Sequence, residues 1–331
     1  MITKEASKWL RGIAILMVVA SHYAEWIGEG NLEPLREFIS RLGDYGVDIF
    51  FLMSGYGLAK AVGRKKISLE FVWKRAVSAY FPYLLIIGGL EIYDGYFFTK
   101  ILAKENYLWK FLVGYDYWFM MNLFVFYLLF FFCWNYKYIR TLVLGAGIFL
   151  YSNHLFELGR MEFWYVSNLA FVVGALYAEL EPLFKKLLDK YFSQKPVLKE
   201  CMFKLGGAAI MIGCFYYGNR VFLLPDEVGT LVKLHLVFSV GTALFASGTW
   251  FKGFLVPIIG SYSLYIYLLH VRLFHLMYWG LEDMSTFAKL ARVSLITLVI
   301  CIVVGFVCQD VLLKPFVRKK KQIAKNSTSA E

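Results

Sequence analysis

Ten apolar stretches, each near the length that crosses a lipid bilayer, constrain this chain more than any motif in it. The hydrocarbon core of a bilayer is about 30 Å thick and a helix rises about 1.5 Å per residue, so about 20 mostly apolar residues make one crossing. The stretches run over 10–27, 46–62, 80–98, 117–135, 139–153, 164–179, 202–222, 232–250, 254–278 and 290–313. Composition agrees: 59% of the 331 residues are hydrophobic and 18% charged, against about 45–50% and about 25% in soluble domains. A soluble interior of this size cannot hide that surplus. Backbone groups in lipid must be bonded within their own segment, so each stretch is expected as a helix, and the strict alternation of a membrane barrel is missing. The expected fold is all-α: a polytopic membrane protein of about ten transmembrane helices, forming a single membrane domain over residues 1–331 with its spans within about 10–313.

An even number of spans puts both termini on one side, and the distribution of Lys and Arg says which. The N-terminal segment, the loops 60–79, 136–140, 180–204 and 251–253, and the tail hold 24 of the 35 basic residues; the other side holds 11. The segment Gly63 to Lys66 and the tail KPFVRKKKQIAK contribute most. Both termini are therefore expected in the cytoplasm, with 314–331 as a basic tail. This asymmetry, with attraction to anionic membrane lipid, accounts for the net charge of +11 and leaves no need for a nucleic-acid partner. The first stretch lacks a small-residue cleavage site and reads as a retained span. Cys133, Cys201, Cys214, Cys301 and Cys308 lack zinc-ligand spacing and read as packing residues. No nucleotide-binding glycine loop or nucleophile elbow is present, so neither a metal nor a permanently bound cofactor is expected.

Ionisable residues inside spans are the informative ones, because burying them is costly unless they are paired or useful. Arg11 and His22 are eleven residues apart in the first stretch, three turns plus about 20°, so they share one helix face with a rise of about 16 Å between them. With the N-terminus inside, Arg11 lies at the cytoplasmic mouth and His22 in the outer half of the bilayer. A cation at the mouth can hold phosphate, and a deeper imidazole can accept a proton near neutral pH. Coenzyme A, with a phosphorylated head and a long arm ending in a thioester, matches that shape. Arg11 fits equally well as a positive-inside anchor, and His22 alternatively as a helix–helix hydrogen-bond partner. Asp48 enters the second stretch near the depth of His22. It either steadies an imidazole or is an anion near a helix N-terminus, where anions are favoured anyway. Ser54, Gly55 and Gly57 read as small residues for close helix contact.

Lys74 and Arg75 directly precede the third stretch, where a phosphate can rest, although positive-inside anchoring explains most of the basic residues around them. Glu91 and Asp94 share a face near its outer end and either line a polar substrate cavity or face outside water. His270, in the ninth stretch, falls at outer-half depth beside Tyr262, Tyr265 and Tyr267. By depth alone, His22, Asp48 and His270 reach one level of the membrane.

These residues resemble the acyltransferase 3 family of integral membrane acyltransferases. The resemblance rests on Arg11 and His22 with ten residues between, on GVDIFFLMSGYGL (Gly46 to Leu58) and on GSYSLYIYLLH (Gly260 to His270), and it covers roughly residues 8–313. It implies an acyl-coenzyme A donor, usually acetyl, used from the cytoplasm. The implied acceptor is a sugar hydroxyl of a bacterial surface polysaccharide or its lipid-linked precursor, and the implied location is the multi-pass cytoplasmic membrane. The family's essential Arg and His fall on Arg11 and His22, its second-span Asp on Asp48, and its fourth-span tryptophan on Trp118 within YWFMMNLFVFY. Two departures stand out. Lys74 and Ser78 occupy positions where many members carry arginine, and lysine meets phosphate as a point charge without the bidentate fork. Asn122 and Leu123 stand where members with a fused hydrolase-like domain often carry two glutamates, so the chain resembles the stand-alone branch. The rival reading is a transporter or flippase for a lipid-linked glycan, since intramembrane His and Asp also suit proton coupling. That reading calls for pseudo-symmetric halves, and residues 1–165 and 166–331 show no self-similarity.

Overall fold

The computed structural model describes residues 2–24, 33–63, 67–95, 106–136, 138–192, 194–221, 228–247, 251, 253–278 and 286–313. Residues 64–66 and the tail 314–331, which weigh heavily in the expected orientation, lie outside the described residues. Among the described residues every element is helical. In chain order these are α1 Lys4–Ala24, α2 Glu33–Ser40, α3 Leu42–Val62, α4 Leu69–Arg75, α5 Phe81–Tyr93, α6 Tyr107–Val113 and α7 Trp118–Cys133. They continue with α8 Arg140–Glu157, α9 Leu169–Phe192, α10 Pro196–Val221, α11 Val228–Ala246, α12 Leu255–Ser261, α13 Ser263–Tyr278 and α14 Thr286–Phe306. Wider, π-type turns run over Ala76–Tyr80 and Val307–Leu313.

Four segments are long and apolar enough to cross a membrane: Glu70–Tyr93, Glu162–Phe192, Val228–Ala246 and Ala291–Leu313. The number rises to six if Tyr107–Val113 with Trp118–Cys133, and Leu255–Ser261 with Ser263–Met277, each count as one interrupted span. The expected ten are not reached among the described residues, and the reason is chemical. Helices α1 and α3 have 21 residues each, enough for about 30 Å. However, α1 carries Lys4, Glu5, Lys8 and Arg11, and α3 carries Asp44, Asp48 and Lys60. Several of these charges meet partners within the fold, Lys60 on Glu181 among them.

The chain divides into two compact units, Met1–Ile67 with Tyr117–Ser261, and Ser68–Asp116 with Tyr262–Glu331. The first is a bundle of closely approaching helices, and glycines set the approach. A Cβ on Gly55 of α3 would lie 2.0 Å from the Phe171 carbonyl oxygen of α9, and one on Gly174 of α9 would lie 2.0 Å from the Leu52 oxygen of α3. Small residues thus let two backbones touch, the device on which helix pairing in lipid depends. Gly12 of α1 and Gly260 of α12 do the same, their added Cβ atoms falling 2.2 Å from the Val256 oxygen and 1.8 Å from the Lys8 oxygen. Of the three small residues expected to pack, Gly55 does; Ser54 is half-buried, and Gly57 has nothing within 4 Å of an added Cβ. Rings of Phe51, Phe119, Phe126 and Phe171 fill the space between α3, α7 and α9. Towards the C-terminal end of α3, buried Glu181 pairs with Lys60 and accepts from the Tyr56 hydroxyl at 3.0 Å, while Arg140 pairs with Glu179.

In the second unit, α5 packs on α13 and the Tyr83 hydroxyl donates to the Phe111 carbonyl of α6 at 2.8 Å. The Tyr262 hydroxyl donates to Asp310 at 2.9 Å, next to the close approach of Gly305 to the Tyr262 ring.

Candidate functional site

Helices α3 and α11 begin at the same end of the first unit. The start of α3 is tied to the last turn of α10, where an Arg41 guanidinium nitrogen donates to the Asn219 carbonyl at 2.5 Å, and α11 follows α10 in the chain. Asp48 lies six residues into α3 and His235 seven residues into α11, each about 10 Å from that end. There they meet, His235 Nδ1 lying 2.6 Å from Asp48 Oδ2. Asp48 has no exposed surface and His235 retains 4%.

Two further residues lie against the ring. Tyr45, one turn before Asp48, stacks on it with centroids 4.7 Å apart and planes 15° from parallel. The Tyr45 hydroxyl in turn donates to the Cys214 carbonyl of α10 at 3.1 Å. The Ser167 hydroxyl, in the turn before α9, donates to the Asp44 carbonyl at 3.2 Å and sits 3.5 Å from His235 Nδ1. An ionised carboxylate only accepts, so Nδ1 carries the proton and the neutral ring presents Nε2 as an acceptor. No described residue bonds Nε2. Asp48 Oδ1 is also buried without a hydrogen-bond partner. The ring is held on its Nδ1 side, while Nε2 and Asp48 Oδ1 take no bond from a described residue.

The sequence put Asp48 near the depth of His22, as one of two readings; in the structure the imidazole bonded to Asp48 is that of His235. Helices α1 and α3 run antiparallel, with Gly43 against the Ser21 hydroxyl and Gly46 against the Ala14 carbonyl and the Val18 side chain. That register puts Asp48 five residues, about 7 Å, deeper than Gly43 and the neighbouring His22. His22 lies near the end of α1 and is exposed. Arg11 is half-buried near the other end, its Nε donating to the Ser7 carbonyl at 3.2 Å. Trp118, at the start of α7, packs in an aromatic cluster with Phe163 at 5.2 Å and Trp164 at 6.4 Å. Beneath it the buried Asn122 amide donates to the Trp164 carbonyl at 2.7 Å and accepts from the Tyr151 hydroxyl at 2.8 Å.

The remaining candidates lie in the second unit and are engaged there. Lys74 pairs with Glu70 one turn earlier at 2.6 Å, and Arg75 lies over the Phe71 ring at 5.4 Å. Glu91 accepts from the Tyr107 hydroxyl at 2.9 Å, and Asp94 pairs with Arg272. These two carboxylates serve contacts inside the unit, where a substrate-lined cavity was one of the two expectations. His270 is 1% exposed and turns Nδ1 onto the Ile266 and Tyr267 carbonyls of its own helix, each at 2.9 Å.

His235 was missed in the sequence, although the signal was there. VKLHLVF places an imidazole inside an apolar stretch, the same criterion that selected His22 and His270.

A helical chain with membrane-length apolar segments and a buried carboxylate–imidazole pair belongs to the polytopic membrane proteins that carry an acid–base group in their interior. Residues 5–309 match the acyltransferase 3 family, described as an acyltransferase domain, and the chain belongs to this family as a membrane acyltransferase. No curated protein and no solved structure matches it.

Proposed function

We propose that this protein transfers an acyl group, acetyl in the first instance, from acyl-coenzyme A to a hydroxyl of a surface polysaccharide or its lipid-linked precursor. The chain would sit in the cytoplasmic membrane with its termini inside. The observation that carries the chemistry is the Asp48–His235 pair with Nε2 unbonded. Acyl transfer to a hydroxyl needs a base at the attacking oxygen, and a neutral imidazole held by a carboxylate on its far nitrogen is suited to that.

In the proposed step, His235 Nε2 takes the proton of the acceptor hydroxyl as its oxygen attacks the thioester carbonyl. The C–S bond then breaks, an ester C–O bond remains, and the proton passes to the departing coenzyme A thiolate. Asp48 holds the ring and balances the transient imidazolium. Arg11 is the proposed phosphate contact for the donor, with Lys74 and Arg75 as a separate proposal from their place in the sequence. A second proposed route places a carrier first. A His22 ring nitrogen attacks the thioester, the C–S bond breaks and the thiol leaves. The acceptor oxygen, losing its proton to His235, then attacks the acyl-imidazole and breaks its C–N bond. Trp118 and His270 stay proposals for substrate contact.

The test is thiol release from acetyl-coenzyme A, with radiolabel followed into glycan, by the protein purified in nanodiscs. Wild type should turn over, with kcat falling at least about 100-fold in His235→Gln and in Asp48→Asn, a typical scale for a lost general base. Label retained on wild type and lost in His22→Gln would support the carrier role. Full turnover in His235→Gln would remove the base assignment, and transport of a lipid-linked glycan without any acyl turnover would favour the rival reading.

A further inference from the structure

A groove of about 610 Å³ opens on the first unit at the end where α3 begins. Its wall is apolar and turned outward: Phe38 of α2 is 47% exposed, and Ile212 and Tyr216 of α10 are 68% and 61% exposed. Among its described lining residues are two guanidinium groups, Arg41 and Arg220, and one carboxylate, Glu37. Arg220 donates to the Tyr216 hydroxyl at 2.7 Å through one nitrogen and lies over that ring. Asn219 also lines the groove, and its amide oxygen is buried without a hydrogen-bond partner.

The floor connects this groove to the acid–base pair. Phe215 and Phe238 line the groove and pack on the Tyr45 ring at 5.1 and 4.6 Å, and Tyr45 stacks on His235 at 4.7 Å. Two aromatic layers, the Phe215 and Phe238 rings and then Tyr45, separate groove from imidazole.

These features select a ligand class. Guanidinium pairs favour phosphate, through charge and through their planar fork. An outward apolar wall in a membrane protein favours a hydrocarbon chain arriving sideways from the bilayer. A buried amide oxygen without a donor favours a ligand hydroxyl, because leaving it unbonded costs about 1–3 kcal/mol. The volume falls within the about 300–1,000 Å³ usual for small-molecule sites. We infer that the groove binds a hydroxylated phosphate ester of a lipid. Its phosphate lies at Arg41 and Arg220, its chain lies along Phe38 and Ile212, and its hydroxyl turns towards Asn219. That this lipid is the acyl acceptor rests on the function proposed above; that the groove takes a lipid phosphate does not.

The experiment uses the full chain in phosphatidylcholine nanodiscs and three probes, decyl phosphate, decanol and inorganic phosphate, with affinity read by calorimetry and thermal shift. Decyl phosphate should bind at least tenfold tighter than either other probe. Arg220→Gln should erase that advantage, and Arg220→Lys should restore most of it. Ile212→Trp, which fills the wall, should weaken decyl phosphate and decanol together. Decanol binding as tightly as decyl phosphate, inorganic phosphate binding as tightly as either, or an unchanged advantage in Arg220→Gln would each overturn the proposal. Tight decyl phosphate binding by a wild type that shows no acyl turnover would sink the acyl-transfer reading and leave the groove standing.

Discussion

Replacing His235 by leucine should be among the most damaging single changes in the chain, and replacing Asp48 with it should undo most of the damage. The Asp48 carboxylate has no exposed surface, its hydrogen bond to His235 on Oδ2 and none on Oδ1. His235→Leu therefore removes the closest partner of this buried group and leaves it Ser167 alone. Breaking a buried charged pair by deleting one partner costs about 3–5 kcal/mol, because the remaining charge has neither water nor a counter-group. At about 1.4 kcal/mol per decade, that lowers the folded-to-unfolded ratio more than about 100-fold. Asp48→Leu should cost less, about 1–3 kcal/mol, since the imidazole left behind can be neutral and need only lose a hydrogen bond. The double variant leaves no polar group to desolvate and should lie within about 2 kcal/mol of wild type, as buried pairs exchanged for apolar residues often do.

The measurement is a double-mutant cycle, unfolding the protein in mixed micelles by titrating sodium dodecyl sulfate and following tryptophan fluorescence. A coupling energy of at least about 2 kcal/mol is expected, towards the upper part of the range for residues in contact. If the two single costs add to within about 0.5 kcal/mol, the residues do not interact and the 2.6 Å contact carries no energy. The acyl-transfer assay makes a separate point on the same variants, because the double variant should be stable and inactive.

Three further outcomes follow from the packing and the ion pairs. Gly174→Leu should prevent α3 and α9 from closing, because its Cβ would fall 2.0 Å from the Leu52 oxygen, and purified yield should drop sharply; Gly57→Ala, with open space around it, should leave the unfolding midpoint within experimental error or raise it slightly. Asp94→Asn should change stability by less than about 1 kcal/mol, since its partner Arg272 is 42% exposed and such pairs are worth little, as denaturant titration can check. Arg11→Ala should raise the KM for acyl-coenzyme A several-fold with a smaller effect on kcat, whereas a purely structural Arg11 would change yield and leave KM alone.

The helical plan was largely readable because it follows from apolar runs that local bonding must satisfy. The stretch 290–313 lies within Thr286–Leu313, 117–135 is close to Trp118–Cys133, and 46–62 falls within α3. Departures occur where polar sequence is also helical or where an apolar run is interrupted. The run 164–179 continues as helix to Phe192 through EPLFKKLLDKYF, whose alternating polar and apolar residues suit a helix that leaves the apolar layer. The run 254–278 reads as one crossing, yet the chain breaks at Tyr262 between α12 and α13. Hydropathy does not mark that break, because Ser261, Tyr262 and Ser263 lie inside a run that remains apolar as a whole.

The site was readable by element and unreadable by partner. An intramembrane carboxylate demands a partner, and that demand singled out Asp48; which imidazole answers it depends on which helices touch, and depth along the chain does not say. The small residues decide. Gly43 and Gly46 let α1 lie so close to α3 that the register is fixed by Ser21 and Ala14, and that register carries His22 to the helix end while Asp48 stays about 7 Å further in. Helix α11 starts at the same end as α3 and so brings His235, seven residues along, to the depth of Asp48 at six. Shifting α1 by one helical turn, about 5.4 Å, would be needed to bring His22 near the depth of Asp48. The backbone contact of Gly46 with the Ala14 carbonyl leaves no room for that slide, since the larger side chains on either side of it would have to pass through the same gap. The pairing of Asp48 with His235 is therefore a consequence of where the glycines stand.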